Sequence, residues 1–182
     1  RLESIGMKSI NCLVDITNFI NFDRGRPLHV YDANKINNKI GAREAKDGEK
    51  VLALDGKDYE LKPGICVIAD KEKVVGIGGI MGGNESGSTI ETKDVFIESA
   101  YFDPIKTALA GRELNIISDS RYRFERGVDP EYVIEGLNLA TQMILDLCGG
   151  EAGEISLVDN LKFQPKKIKF DPKLVKKLTG IE

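Results

Sequence analysis

A single histidine and one glutamate in an apolar run are the side chains best suited to chemistry in this sequence. His29 is the only histidine among the 182 residues, and its neighbours Leu28 and Val30 are apolar. An imidazole in that position either orients a water molecule or a ligand, or serves a purely structural role. Glu98 stands in the run VFIESA, where a buried carboxylate is costly without a partner. It therefore either pairs with a basic side chain or accepts a hydrogen bond from a ligand hydroxyl.

A glycine-rich stretch, GIGGIMGGNESG, lies between these two residues in the chain. Its central glycines are Gly78, Gly79, Gly82 and Gly83. Glycine lets the backbone approach a ligand closely and leaves amide groups exposed. The same pattern is equally typical of a sharp bend from a strand into a turn. No GK[ST] sequence follows, so this stretch is not a phosphate-binding loop.

The sequence contains no arrangement typical of nucleophilic or metal catalysis. A Ser-His-Asp triad would have to use His29, and no nucleophile-elbow sequence is present. The three cysteines, Cys12, Cys66 and Cys148, are an odd number without paired spacing, so neither a zinc site nor a disulfide framework is indicated. We expect all three to be packing residues in a reduced, cytosolic protein.

A first helix followed by strands must position the candidate residues. Apolar residues from Ile10 to Phe22 recur every three or four positions, which predicts an amphipathic helix. Short apolar runs separated by turn sequences predict strands. These runs are Leu28–Tyr31, Val51–Leu54, Ile65–Ala69, Val74–Ile80 and Val95–Ile97. Asp-Gly within Leu54–Lys57 is typical of a hairpin turn.

Helices return in the second half of the chain, after Phe102. Their predicted starts are Asp103, Ser118 or Asp119, and Asp129-Pro130, the last opening a helix that runs through Leu147. Beyond it we predict strands at Ile155–Val158 and Lys167–Phe170, a linker at Pro165 and a helix capped by Asp171. Helix, many strands, helices and strand in this order predict a mixed α+β fold.

Composition and charge exclude several classes of protein. The chain is 41% hydrophobic and 30% charged, and no apolar run approaches the roughly 18 residues that span a bilayer. The formal net charge is -3, whereas an isolated nucleic-acid binder usually carries a basic excess. Alone, the chain is therefore expected to bind RNA weakly. It starts at Arg1 without an initiator Met, which suggests a piece of a longer protein.

Five segments together resemble the editing module of the bacterial phenylalanyl-tRNA synthetase beta subunit. They are NCLVDITNFI, RPLHVYD, GGIMGGNESG, IESAYFDP and SDSRYRFERGVDP. Their order and spacing look like those of that family over nearly the whole chain, and the combination is specific although each segment alone is weak. The resemblance implies an α+β module over residues 1–164, layered around an unusual β-sandwich flanked by helices. It also implies that residues 165–182 are a linker and the truncated start of the next domain.

The resemblance assigns roles to the candidate residues. His29, Thr17 and Asn18 would place the attacking water or the substrate, although Thr17 and Asn18 otherwise simply satisfy backbone groups. Glu98 would accept a hydrogen bond from the hydroxyl of a misattached tyrosine. The pocket would be lined by Gly78, Gly79, Gly82, Gly83, Ser118 and Ser120. Gly78 and Ser120 stand where that family more often has alanine.

The implied function is hydrolysis of tyrosine wrongly attached to the phenylalanine tRNA, without a covalent intermediate and without a metal or cofactor in this module. Its implied partners are the 3′ end of that tRNA and an alpha subunit, in a cytoplasmic (αβ)2 heterotetramer. ATP and magnesium would serve synthesis on the alpha subunit only, and neither DNA nor a membrane is involved. Two alternatives stay open: a non-catalytic scaffold that docks tRNA or the alpha subunit, and a free-standing deacylase.

Overall fold

The computed structural model describes residues 1–159 and 167–181. Its five helices in the described residues are α1 (Cys12–Arg24), α2 (Pro104–Glu113), α3 (Asp119–Phe124), α4 (Val133–Cys148) and α5 (Pro172–Thr179). The strands of its first half are β1 (Leu28–Asp32), β2 (Gly41–Glu44), β3 (Lys50–Leu52) and β4 (Asp58–Glu60). The remaining strands are β5 (Cys66–Ala69), β6 (Val74–Ile77), β7 (Met81–Gly82) and β8 (Val95–Ser99).

All strand pairs are antiparallel, and they form three small sheets. The largest has the order β2-β5-β6-β7, while β1 pairs with β8 and β3 pairs with β4. In the β1–β8 pair, His29 stands directly opposite Glu98. Helices packed on antiparallel sheets confirm the predicted α+β class.

The two faces of the β1–β8 pair meet different layers. On one face Val30 packs with Leu13, Ile16 and Ile20 of α1 and with Ala140 and Ile144 of α4. On the other face Tyr31 packs with Ile68 of β5 and Val75 of β6. Because side chains alternate along a strand, His29 lies on the same face as Tyr31, towards the four-stranded sheet.

The four-stranded sheet is also covered on both sides. Val67 and Ile77 point away from Tyr31, into a cluster with Val51 of β3, Leu61 after β4 and Ala110 of α2. The sheet therefore lies in the middle of the molecule and carries the glycine-rich stretch, through β6 and β7, to the face that meets His29.

Local signals placed several helix starts correctly. Asp103, Ser118 and Asp171 each accept hydrogen bonds from N–H groups in the first turns of α2, α3 and α5. The first helix begins at Cys12 rather than Ile10, since the side chain of Asn11 caps it.

Three predictions in the second half of the chain are wrong. The long helix starts at Val133, because the carboxylate of Asp129 accepts a hydrogen bond from the N–H of Glu131 and holds a turn before it. Neither Ile155–Val158 nor Lys167–Phe170 is a strand. These runs are exposed and pair with no strand among the described residues, and an unpaired strand leaves its backbone groups without ladder partners.

Other predictions concern residues 160–166, which lie outside the described residues. They include the linker at Pro165 and the proposed boundary between residues 164 and 165. None of the described helices is both long and apolar enough to cross a membrane.

Candidate functional site

His29 lies in a tight, largely apolar setting. Its imidazole stands edge-on to the ring of Tyr31, with ring centroids 4.4 Å apart. Its Nε2 atom is buried and has no hydrogen-bond partner among the described residues. Burial lowers the pKa of His29 from 6.5 to about 4, because a charged imidazolium is poorly solvated there. At neutral pH the side chain is uncharged.

Glu98 is paired with a tyrosine, not with a basic residue. The hydroxyl of Tyr31 donates a hydrogen bond of 2.6 Å to Oε2 of Glu98. None of the salt bridges among the described residues includes Glu98, so the ion pair considered from the sequence is not formed. The surrounding protein raises the pKa of Glu98 by burial, and the bond from Tyr31 partly offsets this. The residue nevertheless keeps part of its surface accessible.

Tyr31 is the site residue that sequence reasoning missed. It is almost fully buried, and burial together with the neighbouring carboxyl raises the pKa of its phenol well above the ordinary value. The available signal was its position two residues after His29, on the same face of the strand. This position points to a role for Tyr31 only once β1 is known to pair with β8, because that pairing brings Glu98 next to it.

Close neighbours leave no room for a side chain at the glycines of the turn. A methyl group on Gly82 would lie 2.3 Å from Cε1 and 2.6 Å from Nε2 of His29. One on Gly83 would lie 2.7 Å from the carbonyl oxygen of Val75. A methyl group on Gly78 or Gly79 would lie 2.8 Å or 2.9 Å from the ring of Phe102, and Gly79 has φ +70°. The structure thus brings Gly82 directly to His29 and places the other three against core groups.

Ser118 and Ser120 hold the glycine-rich turn to the start of α3. The hydroxyl of Ser118 donates to the carbonyl of Ile80 at 2.6 Å, and that of Ser120 donates to the carbonyl of Gly79 at 3.3 Å. Both serines therefore contact the predicted pocket wall through its backbone. Their hydroxyls stabilise the turn that carries Gly82.

Thr17 and Asn18 are not joined to His29 or Glu98 by any hydrogen bond among the described residues. Thr17 is buried in α1 and donates its hydroxyl hydrogen to the carbonyl of Val14 at 2.9 Å. Helix α1 packs on the face of β1 that carries Val30, opposite the face of His29. The structure thus gives Thr17 a helix-internal partner, and its role in positioning water stays a prediction.

His29, Tyr31 and Glu98 form a small polar cluster beside Gly82 and the glycine-rich turn. It offers a neutral imidazole, a phenol and a carboxyl group with one hydrogen bond from protein. A carboxylate has about four acceptor positions, so Glu98 retains capacity for a second hydroxyl donor. No group of three or more His, Cys, Asp or Glu residues suited to a metal ion occurs in the described ranges.

The titration of His29 is directly measurable, since the chain has one histidine. We expect its imidazole NMR signals to stay in the neutral form down to pH 5 and to titrate with a midpoint of about 4. A midpoint near 6.5 would contradict the buried setting. The variant His29→Gln provides the assignment, because it removes the signals.

The same shift makes stability depend on pH in a definite direction. Between pH 6.5 and about 4 the unfolded chain binds a proton at His29 and the folded chain does not, so stability is lost as pH falls. The full loss is about 3 kcal/mol. The raised pKa of Glu98 acts in the opposite sense. Urea unfolding of wild type and His29→Gln at pH 7 and pH 5 isolates the histidine, and wild type should lose more stability than the variant.

Comparison with known proteins places the chain in a family. The chain belongs to the B3/4 domain family, whose model matches residues 1–149. Over its whole length it is 55% identical to the phenylalanine–tRNA ligase beta subunit of Mesorhizobium japonicum and 52% identical to that of Cereibacter sphaeroides. The chain spans 23% of the length of each of these relatives. The resemblance seen in the five motifs is confirmed as similarity to such beta subunits.

The fold is shared, at low identity, with a solved structure. It is an N-terminal fragment of the phenylalanyl-tRNA synthetase beta subunit from Pyrococcus horikoshii, which matches with a TM-score of 0.54 and 19% identity. The match covers 93% of this chain and 51% of that one. At this identity the likeness concerns the fold alone.

Proposed function

We propose that the chain is the editing module of a phenylalanine–tRNA ligase beta subunit and hydrolyses tyrosine misattached to tRNA(Phe). The similarity to beta subunits supports the setting, and the cluster of His29, Tyr31 and Glu98 supports the chemistry. One observation carries most weight: Glu98 already accepts a hydrogen bond from a phenol, that of Tyr31, at 2.6 Å. The hydroxyl that distinguishes tyrosine from phenylalanine is chemically the same donor.

Selection at such a site depends on an acceptor that only tyrosine satisfies. Phenylalanine would leave the free acceptor positions of Glu98 without a donor in a water-poor setting, at a cost of roughly 1–3 kcal/mol or more. Sites that bind a substrate hydroxyl can reject the analogue lacking it by about 10⁴ or more. A pocket of this kind separates the two amino acids by chemistry, although they differ little in size.

Hydrolysis in this proposal relies on placing a water molecule at the ester carbonyl. His29 is neutral at pH 7, and its Nε2 has no hydrogen-bond partner among the described residues. This atom can therefore form a hydrogen bond with the water or the ester. Water adds to the carbonyl, the ester bond to the ribose breaks, and the ribose oxygen takes up the proton. An aminoacyl ester is already activated, so positioning by His29 and the terminal ribose hydroxyl supplies much of the acceleration.

The partners follow from the same proposal. The substrate is the tRNA(Phe) 3′ end carrying tyrosine, and the chain acts with an alpha subunit in a cytoplasmic (αβ)2 assembly. ATP and Mg²⁺ serve the synthetic reaction there. The net charge of -3 implies that most tRNA affinity comes from surfaces outside this chain.

Binding of free amino acids tests the pocket without tRNA. We expect tyrosine to bind more tightly than phenylalanine, and Glu98→Ala to abolish that preference, because the hydroxyl loses its acceptor. Calorimetry on wild type and variant measures both. Glu91→Ala is the matched control, since Glu91 is exposed and none of the hydrogen bonds or salt bridges in the described residues joins its carboxylate to the cluster. Equal or absent binding of the two amino acids to wild type would contradict the assigned pocket.

A non-catalytic scaffold is the second candidate, and one observation favours it. A cavity of about 150 Å³ lies beside Arg26, Asp129 and Tyr132, and a groove of about 470 Å³ runs along β2 and the end of β5. Neither of these includes His29 or Glu98. Docking of tRNA or of the alpha subunit at such a surface needs no amino-acid pocket. A full-length Glu98→Ala enzyme that loses clearance of Tyr-tRNA(Phe) selectively, at the same folded fraction as wild type, would exclude a purely structural role.

A further inference from the structure

Helices α1 and α4 lie antiparallel, so that the start of α1 is next to the end of α4. Each of these two ends carries a cysteine. Cys12 is the first residue of α1 and Cys148 is the last residue of α4. Both are exposed free thiols, so the expectation that all three cysteines pack inside the protein is wrong for these two. They belong to neither the cluster of His29, Tyr31 and Glu98 nor its supporting turn.

The packing of the two helices brings these ends together. At the opposite end, Gly136 of α4 approaches Arg26, just beyond α1, so closely that a methyl group there would lie 2.8 Å from Arg26 Cγ. From this contact the chain runs back fourteen residues to Cys12 and on twelve residues to Cys148, or roughly 18–21 Å at the helical rise. Side chains from Leu13 to Ile20 of α1 and from Leu139 to Ile144 of α4 share one apolar cluster. Similar lengths from a common end put the two thiols at about the same level.

The two thiols also influence each other, in agreement with this geometry. Burial raises the pKa of Cys12, and the neighbouring thiol of Cys148 raises it further. Gly149 and Gly150, which follow Cys148, have φ of +74° and +99°. Glycines next to a cysteine ease the backbone adjustment that disulfide geometry demands.

We infer that Cys12 and Cys148 form an oxidation site that closes to an intramolecular disulfide. With hydrogen peroxide, one thiolate attacks an oxygen to give a sulfenic acid and hydroxide; the second thiol then displaces water and forms the S–S bond. With glutathione disulfide, one thiolate displaces a glutathione thiolate to give a mixed disulfide, and the second displaces the other. Either way, two electrons pass from the thiols to the oxidant.

The bond would tie the start of α1 to the end of α4. It would close a loop of well over 100 residues, the situation in which a cross-link restricts the unfolded chain most. The raised pKa of Cys12 keeps its thiol largely protonated at neutral pH, so oxidation is slow and responds to sustained exposure. Cys66 lies partly buried against the turn of Gly78 and serves as an internal control.

Peptide mapping after oxidation tests the inference on the whole chain. The protein is held at low concentration with glutathione disulfide, free thiols are blocked, and the unreduced digest is examined by mass spectrometry. We expect a peptide pair joined through Cys12 and Cys148, with one blockable thiol left of the three. Reduction should restore all three. The midpoint of thermal unfolding should rise by roughly 5 °C or more in the oxidised form.

Single variants separate this result from general thiol reactivity. Cys66→Ser should form the same linked peptide as wild type, whereas Cys12→Ser and Cys148→Ser should form none. Stable mixed disulfides on both cysteines, links between two molecules, or pairing with Cys66 would overturn the inference. So would a linked peptide that appears only when denaturant is present. None of these outcomes depends on the proposed hydrolysis.

Discussion

Replacing Glu98 by alanine in the full synthetase is expected to let Tyr-tRNA(Phe) accumulate while charging with phenylalanine stays nearly intact. Hydrolysis of Tyr-tRNA(Phe) should fall by roughly 10- to 100-fold, the effect of losing a hydrogen bond to a charged acceptor worth about 1.5–3 kcal/mol. Slow hydrolysis of correctly charged Phe-tRNA(Phe) should change little, since phenylalanine offers Glu98 no hydroxyl. Deacylation of both purified aminoacyl-tRNAs measures the two rates.

Glu98 also contributes to stability, through its hydrogen bond with Tyr31. Glu98→Ala also leaves the buried hydroxyl of Tyr31 without its acceptor, at a cost in stability of about 1–3 kcal/mol. Tyr31→Phe removes the donor and keeps the carboxylate, so it tests whether the phenol is needed to orient Glu98. The double variant should recover part of the lost stability without recovering hydrolysis.

Two outcomes decide the role of Glu98. If Glu98→Ala and the exposed control Glu91→Ala clear Tyr-tRNA(Phe) equally fast, Glu98 does not recognise the hydroxyl. If the hydrolysis rates of Tyr-tRNA(Phe) and Phe-tRNA(Phe) both fall, in proportion to the loss of folding stability, the effect of Glu98→Ala is structural. A selective loss with tyrosine, at matched folded fraction, supports recognition.

Gly82→Ala is expected to produce the second large effect, through His29. The added methyl group would lie within 2.6 Å of Nε2, so the imidazole has to move away from β7. Displacing a positioning group by about 1 Å can cost roughly 100-fold in rate, and we expect deacylation of Tyr-tRNA(Phe) to fall by about 10- to 100-fold. Overpacking should also cost about 1–3 kcal/mol of stability.

The histidine titration distinguishes this displacement from simple destabilisation. A ring pushed towards solvent loses the burial that lowers its pKa, so the NMR midpoint of His29 should rise from about 4 towards 6.5. Gly41→Ala is the matched control: Gly41 also lies in a strand, and no atom lies within 4 Å of an added methyl group. An unchanged midpoint with unchanged deacylation in Gly82→Ala would show that β7 does not position His29.

Much of the fold was predictable from local patterns. Capping by Asp103, Ser118 and Asp171 depends on residues a few positions apart, so the sequence alone identifies it. Short apolar runs marked five of the eight strands in the described residues for the same reason. The failures at Ile155–Val158 and Lys167–Phe170 have a common cause. A strand needs a partner for its backbone hydrogen bonds, and partners are a property of the tertiary structure.

The sequence by itself determined the α+β class and the two residues most suited to chemistry, His29 and Glu98. Only the tertiary structure decided that these two stand opposite each other, because β1 and β8 are more than 60 residues apart in the chain. The same pairing made Tyr31 the partner of Glu98 in place of a basic residue. Helix packing likewise brought Cys12 to Cys148. Contacts between distant residues depend on how whole layers stack, and no local pattern encodes that.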